Sequence, residues 1–179
     1  EARRWQPDYR AEVLAGRDSF RWPEPGEILI TNYEILPPCR REVTRRAGKA
    51  NRTKLDDHND AELLARAKKI PPPHPGTVVI ADEAHRLGRN KTIQTDRFRA
   101  LRTRALRAGG RLWGLTGTPL LNRPLELWNL LTSLSLAEDS FGSFPRFAAA
   151  FNAHQGPFAI EWGQPRPETY QYLAQVAKR

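Results

Sequence analysis

The sequence predicts an α/β fold in which short parallel strands alternate with helices, and three apolar runs carry this prediction. Residues 27–33 (EILITNY) and 77–80 (TVVI) have the length and apolar character of buried strands. A third run, 111–116 (RLWGLT), follows a segment, 92–108, whose apolar residues recur at helical spacing. Strands that alternate with helices form parallel sheets through right-handed crossovers, so we expect a parallel sheet with flanking helices.

Composition limits the classes of protein. The chain has 179 residues, of which 39% are hydrophobic and 27% charged, enough for one globular domain with a core. No apolar run is long enough to span a bilayer, so no membrane partner is expected. The single cysteine, Cys39, excludes internal disulfides and fits a reducing compartment. We expect a cytoplasmic protein of bacterial or phage origin, or a nuclear one in a eukaryote.

Charge points to a polyanionic partner. The formal net charge is +9, from 29 Lys and Arg against 20 Asp and Glu, and the sequence pI is about 10.3. An excess of this size suits nucleic acid. A run of basic residues between 40 and 54 is most simply interpreted as a solvated loop, with phosphate contact as the alternative.

The first half of the chain contains one predicted strand and one predicted helix. Residues 1–25 are polar and interrupted by prolines, which argues against a long helix. The strand within 27–33 would bury Ile28, Leu29 and Ile30. Residues 37–75 have the least regular pattern, apart from helical spacing over 61–69 with aspartates near its start.

The second half predicts more helices. In the helix 92–108, an inward stripe would contain Ile93, Phe98, Leu101, Ala105 and Leu106, and the glycine pair that follows would end the helix. Further helices are predicted over 124–134, 141–151 and 167–178. In the first of these, one side would carry Leu125, Trp128, Leu131 and Leu134. Phenylalanines 144, 147 and 151 have the spacing of packing residues.

Two adjacent acids follow the predicted strand at 77–80. Val78, Val79 and Ile80 would be buried, and the strand then stops at Asp82 and Glu83. Open parallel sheets bind ligands at the carboxyl ends of their strands, and unpaired buried charge is costly, so a divalent cation would account for the pair. The alternative is a strand that ends in solvated acids capping the next helix.

These motifs resemble a known family. Asp82-Glu83-Ala84-His85 resembles the Walker B, or DEAH, box of superfamily-two helicase-type ATPases. The segment 115–131 (LTGTPLLNRPLELWNLL) is similar to the box that follows it in Swi/Snf-type ATPases, above all the annealing-helicase-like and the bacterial or phage branches. ITNYE upstream and FGSFPRFAAAFNAHQG downstream occur in the family's order. The resemblance implies that residues 1–136 are the C-terminal portion of a first RecA-like (P-loop NTPase) lobe, and 137–179 a small helical extension leading toward lobe 2.

The resemblance also implies roles for residues near the acids. Asp82 would hold Mg²⁺, through water, and Glu83 would orient and deprotonate the water that attacks ATP. His85 would link the nucleotide site to the neighbouring lobe or to Thr116 and Thr118, the alternative being a helix-start histidine with a satisfied hydrogen bond. Thr116 and Thr118 would switch hydrogen bonds between nucleotide states, and they also suit ordinary turn and cap chemistry.

The strand end at Thr31 and Asn32 is a candidate nucleic-acid contact. In the family, a threonine at this place touches the nucleic-acid backbone, and Thr116 would report the nucleotide state to DNA. The alternative for Thr31 and Asn32 is simple turn formation.

The sequence departs from the family in two ways. A phosphate loop needs G-x-x-x-x-G-K followed by Ser or Thr, and the one Gly-Lys pair, Gly48-Lys49, is followed by Ala50 and has Val43 where the first glycine belongs. We therefore expect the loop before residue 1, the second lobe beyond residue 179, and no ATP hydrolysis by this fragment alone. In addition, Gly88-Arg89-Asn90 stands where the family commonly has Lys-Asn, which puts any role of Arg89 in doubt.

The predicted function is a fragment of an ATP-dependent DNA translocase, with ATP and Mg²⁺ as cofactors. Double-stranded DNA and the second RecA-like lobe of the same parent chain are its expected partners. One alternative is a related motor, either an RNA helicase or a restriction-type enzyme. The other is a catalytically degenerate nucleic-acid-binding module.

Overall fold

The computed structural model describes residues 8–16, 19–47, 54–89, 92–118 and 123–176. The chain is divided into two compact units. Unit 1 falls within residues 1–81 and 91–113, and unit 2 within 82–90 and 114–179. The predicted boundary between 136 and 137 separates family domains rather than packed units, so it stays a prediction.

Parallel pairing is confirmed for the first two strands. In unit 1, β1 (Arg10–Val13) lies parallel to β2 (Glu27–Ile30), with Arg10 opposite Glu27 and Val13 opposite Ile30. β1 was not predicted, because a four-residue strand with charged residues at two positions has no apolar run. A salt bridge between Arg10 and Glu27, 2.6 Å long, closes the start of the pair.

A second pair contains the strand that leads to the two acids. β3 (Val78–Ala81) and β4 (Arg111–Gly114) form a two-stranded sheet. The Arg111 backbone N–H donates to the Thr77 carbonyl at 2.9 Å, which joins the starts of the two strands. The described strands thus form separate two-stranded sheets rather than the one predicted sheet, and the RecA-like fold stays a prediction.

The predicted burial of these strands is wrong at several positions. Val78 is 45% exposed, Ile80 is 53% exposed and Ile30 is 49% exposed. A parallel strand is buried on both sides only when helices cover both faces of its sheet. A pair of strands does not reach that state, so one apolar face of each pair remains accessible.

The basic run begins with a helix rather than a loop. α1 (Arg40–Ala47) occupies its first part, and α2 (Lys54–Lys69) extends the predicted helix 61–69 toward the N-terminus. Glu42 of α1 is fully buried and accepts from Arg97 at 2.8 and 3.0 Å. Arg97, the partner of Glu42, lies 55 residues away in the sequence, so the local pattern around α1 did not predict this helix.

The helix predicted over 92–108 is confirmed as α3 (Ile93–Arg107). The Thr92 hydroxyl caps it by accepting from the Thr95 N–H. Gly109, at φ 80°, ends it in the left-handed conformation that glycine favours. The inward stripe contains Phe98, Leu101 and Ala105, whereas Ile93 and Leu106 are exposed.

Unit 2 contains four helices among its described residues. They are α4 (Pro124–Ser133), α5 (Ala137–Phe141), α6 (Phe144–Ala150) and α7 (Pro167–Val176). The predicted helix 141–151 begins three residues later, as α6, because Gly142, at φ 73°, ends α5 and the Ser143 hydroxyl caps α6. An unpredicted antiparallel hairpin, β5 (His154–Gln155) and β6 (Ile160–Glu161), follows α6.

Aromatic residues form the core of unit 2. Phe147 and Phe151 are almost fully buried with Leu127 and Leu131, and Phe144 packs against them, as the helical spacing predicted. On α4, Leu127 and Leu130 are buried, whereas Leu125 is exposed. Among the described residues, no helix is both long and apolar enough to cross a membrane.

Candidate active site

The two acids stand on a strained turn at the end of β3. After Asp82 and Glu83 the chain forms a 3-10 helix, Ala84–Gly88. The Asp82 carboxylate accepts from the Glu83 N–H at 2.9 Å, and both side chains are exposed. Glu83 has φ 47° and ψ 46°, a left-handed conformation that costs a non-glycine residue roughly 1–3 kcal/mol. Such conformations concentrate at functional sites, which favours a role for this turn beyond capping.

His85 contacts both the acidic turn, formed by Asp82 and Glu83, and the threonine turn, residues 116–118. Its Nδ1 lies 3.1 Å from Glu83 Oε2 and 3.2 Å from Thr116 Oγ1. A carboxylate can only accept, so the bond to Glu83 needs a proton on Nδ1. The hydroxyl of Thr116 can accept from a protonated Nδ1 or donate to an unprotonated one. Whether Nδ1 can donate to Glu83 therefore depends on the tautomer of the ring.

The threonine turn is tied to the acidic turn through the backbone as well. The Ala84 N–H donates to the Leu115 carbonyl at 2.9 Å. Thr116 Oγ1 also accepts from the Thr118 N–H at 3.2 Å. This leaves the Thr116 hydroxyl proton available for His85 in the state where Nδ1 is unprotonated.

A continuous series of contacts thus links five predicted site residues of unit 2. They are Asp82, Glu83, His85, Thr116 and Thr118. The sequence predicted that the two motifs would lie side by side, and these contacts join them. The catalytic and nucleotide-binding roles of the five stay predictions.

The other predicted contacts, Thr31 and Asn32, belong to unit 1. The Asn32 side-chain oxygen accepts from the N–H groups of Glu34 and Ile35, both at 3.0 Å. This is the turn-forming geometry that was the alternative for Asn32. Thr31 is exposed at the end of β2. Contact of these two residues with nucleic acid stays a prediction.

Asp82 fits a magnesium ion shared with a nucleotide. Among the described residues, no group of three or more His, Cys, Asp or Glu side chains is arranged to hold a metal. Mg²⁺ bound with phosphates keeps several waters and takes one or two carboxylates. An exposed aspartate at a strand end therefore suits it.

Sequence reasoning missed the residues that support the acidic turn from α4. Ser133 Oγ lies 3.2 Å from the Leu87 carbonyl. A Cβ at Gly88 would meet the Glu126 carbonyl oxygen at 2.8 Å. The one sequence signal for these residues was that Gly88-Arg89-Asn90 stands where the family commonly has Lys-Asn. Residues 48–49, 90 and 119–122, which carry parts of the predicted motifs, lie outside the described residues.

The contacts between the motifs suit both a motor and a turn that is held by ordinary hydrogen bonds, and comparison with known families identifies the family of the chain. A family model described as the SNF2-related domain matches residues 5–179. The chain belongs to the SNF2-related family. The SNF2-related domain is of the helicase-like ATP hydrolase class, whose members generally use ATP with Mg²⁺ and bind nucleic acid. No curated protein and no solved structure matches the chain.

Proposed function

We propose that this SNF2-related domain supplies the Walker B (DEAH) turn and the coupling turn of an ATP-dependent translocase on double-stranded DNA. The observation that carries the proposal is the bridge formed by His85. One ring nitrogen contacts Glu83 at 3.1 Å and Thr116 at 3.2 Å. A residue that only capped a helix would have no need to face both motifs.

In this proposal Glu83 is the general base. A carboxylate can orient a water and take its proton when it lies within hydrogen-bond reach. The side chain is 62% exposed, so a water can approach it. His85 fixes the carboxylate while Nδ1 carries a proton, and releases it when Thr116 donates to that nitrogen instead. Glu83 is thus linked to the state of the threonine turn.

Asp82 would hold the magnesium ion that accompanies ATP. When bound, this ion neutralises negative charge that develops on the transferred phosphate. The Asp82 oxygen that accepts from the Glu83 N–H ties the Asp82 side chain to the backbone of Glu83. Asp82 therefore also helps to define where the base stands.

The threonines would carry the signal to nucleic acid. In the proposal, Thr116 and Thr118 change partners with the nucleotide, and Thr31 with Asn32 contacts the DNA backbone. The net charge of +9 supports a polyanionic partner. The second RecA-like lobe would complete the nucleotide site. The 179 residues contain no G-x-x-x-x-G-K-[ST] sequence, so the fragment alone is not proposed to hydrolyse ATP.

The test is Glu83→Gln in the full-length protein. Removal of a general base lowers the rate by about 100-fold or more, so DNA-stimulated ATPase activity should be lost while the melting temperature stays close to that of the wild type. Glu161→Gln is a matched control, because Glu161 is also exposed and also lies near a histidine, with Oε2 3.2 Å from His154 Nε2.

Two results would contradict the proposal. Full ATPase activity in Glu83→Gln would show that Glu83 is not the general base. Equal ATPase rates with and without DNA would contradict the proposed function as a DNA translocase. Competition between duplex DNA and duplex RNA for the full-length protein separates a DNA motor from an RNA motor, and DNA binding without any ATPase would favour a degenerate binding module.

A further inference from the structure

The 3-10 helix that carries His85 rests closely on α4. Leu87 is 1% exposed and Ser133 is fully buried, and Gly88 is buried as well. α4 is also the first helix after the threonine turn. The two motifs are therefore joined again at the far end of the 3-10 helix, away from the His85 bridge.

Ser133 has one hydroxyl proton and two acceptors within reach. Its Oγ lies 2.8 Å from the Asn129 carbonyl in its own helix and 3.2 Å from the Leu87 carbonyl in the 3-10 helix. A hydroxyl donates a single hydrogen. The buried group therefore keeps a partner whether it bonds to Leu87 or returns to Asn129. Such a contact can open without leaving the hydroxyl unsatisfied.

Gly88 permits the close approach that this bond needs. A Cβ there would lie 2.8 Å from the Glu126 carbonyl oxygen and 3.4 Å from its carbonyl carbon. Because the obstacle is helix backbone, a side chain at this position would push the 3-10 helix away from α4.

We propose that Ser133 and Gly88 are positioning residues that set where Glu83 and His85 stand relative to Thr116, an inference that rests on the proposed function. The 3-10 helix is fixed at its start by the Ala84–Leu115 hydrogen bond and at its end by the contact with α4. A movement of α4 would change the second attachment and turn His85 against Thr116. Ser133 would act as a latch that closes on Leu87 and opens onto Asn129.

The test uses Ser133→Ala and Gly88→Ala in the full-length protein. A misplaced base lowers turnover more than nucleotide binding, so we expect kcat with DNA to fall about tenfold while the KM for ATP stays within about twofold of wild type. The imidazole ¹⁵N signals of His85 should also shift in both variants. A purely structural role would change the melting temperature without moving these signals.

Two matched controls lie away from the motifs. Thr103→Ala removes another hydroxyl that donates to the carbonyl four residues earlier, that of Arg99, in a helix of unit 1. Gly163→Ala adds a Cβ 3.1 Å from a backbone oxygen, that of Asn152, in unit 2. Both should keep the wild-type kcat and the His85 signals.

The outcomes separate the two proposals. Loss of activity in Glu83→Gln together with wild-type kcat in Ser133→Ala and Gly88→Ala would overturn the positioning role alone. Persistent activity in Glu83→Gln would overturn the proposed function. A kcat loss in Thr103→Ala and Gly163→Ala as large as in the test variants would also overturn the positioning role, because any destabilising change would then have the same effect.

Discussion

Two glutamates in this chain contact basic side chains in opposite surroundings. Glu42 in unit 1 has a fully buried side chain and a two-pronged contact with Arg97, at 2.8 and 3.0 Å. Glu83 in unit 2 is 62% exposed and contacts His85 through a single nitrogen at 3.1 Å. The first acid has a regular helical backbone, and the second has a left-handed one.

The comparison teaches how burial separates a structural carboxylate from a candidate catalytic one. Arg97 also donates to the carbonyl groups of Glu34 and Leu36, at 3.0 and 3.1 Å. Its guanidinium therefore holds both α1 and the preceding loop against α3, and loss of Glu42 would leave this guanidinium without its carboxylate. Glu83 has solvent access and one exchangeable partner, which a group that must bind water requires.

The largest effect should follow from Glu42→Ala. This change leaves Arg97 without its carboxylate, and breaking a buried ion pair costs about 3–5 kcal/mol. Chemical denaturation should show that loss in the free energy of unfolding. A loss below about 1 kcal/mol would mean that the pair resembles an exposed one, and the contrast with Glu83 would fail. Arg97→Ala and the double variant would measure the coupling energy.

A smaller effect, on activity rather than stability, is expected for His85→Ala. Without the ring, Glu83 loses the contact that holds it and Thr116 loses its partner in the acidic turn. We expect DNA-stimulated ATPase activity of the full-length protein to fall about tenfold, as for lost coupling contacts. The free energy of unfolding should change by less than about 1 kcal/mol, because the contact with Glu83 is partly exposed. Unchanged ATPase activity with a clear loss of stability would show that His85 has a structural role and no role in coupling.

The smallest effect concerns a third glutamate, Glu27, whose side chain is buried like that of Glu42 but pairs with two partly exposed arginines, Arg10 and Arg21. The Arg21 guanidinium, with help from the Glu24 N–H and from Arg10, holds the pKa of the Glu27 carboxyl well below its usual range. A lowered pKa in the folded state stabilises the fold above the unfolded value of about 4.3 and loses that effect as the pH falls further.

Thermal melting from pH 6 to pH 3 tests this prediction. The melting temperature of the wild type should fall more steeply below about pH 4.3 than that of Glu27→Gln, which cannot titrate. Parallel slopes in the two proteins would show that Glu27 has no such role. Glu12→Gln is a useful control, because Glu12 also pairs with Arg21 but is nearly half exposed.

Local sequence patterns predicted elements well where their signals are local. The helix α3 was predicted from its apolar spacing and its terminal glycines, all within 92–110. α1 could not be predicted in the same way, because Arg97 lies 55 residues away from the glutamate that it holds. Gly142 was overlooked inside the predicted helix 141–151, although at φ 73° it ends α5, and α6 begins only after it.

The candidate site shows the same division. The acids and the threonines were predicted individually from their motifs. The contact of one histidine nitrogen with both motifs depends on the left-handed turn at Glu83, which the residue type does not favour. Ser133 has no signal in the sequence, and Gly88 had only its departure from the family, because the roles of both come from carbonyl groups on other segments.

By itself, the sequence determined the order of the motifs, the class of chemistry that paired acids and threonines permit, and the family to which the chain belongs. These properties depend on residue identity and short spacing, which the linear chain contains. The tertiary structure alone decided which glutamate is buried, which apolar strand faces remain accessible and which hydroxyl supports the acidic turn. Those outcomes depend on contacts between segments distant along the chain, and no local pattern determines them.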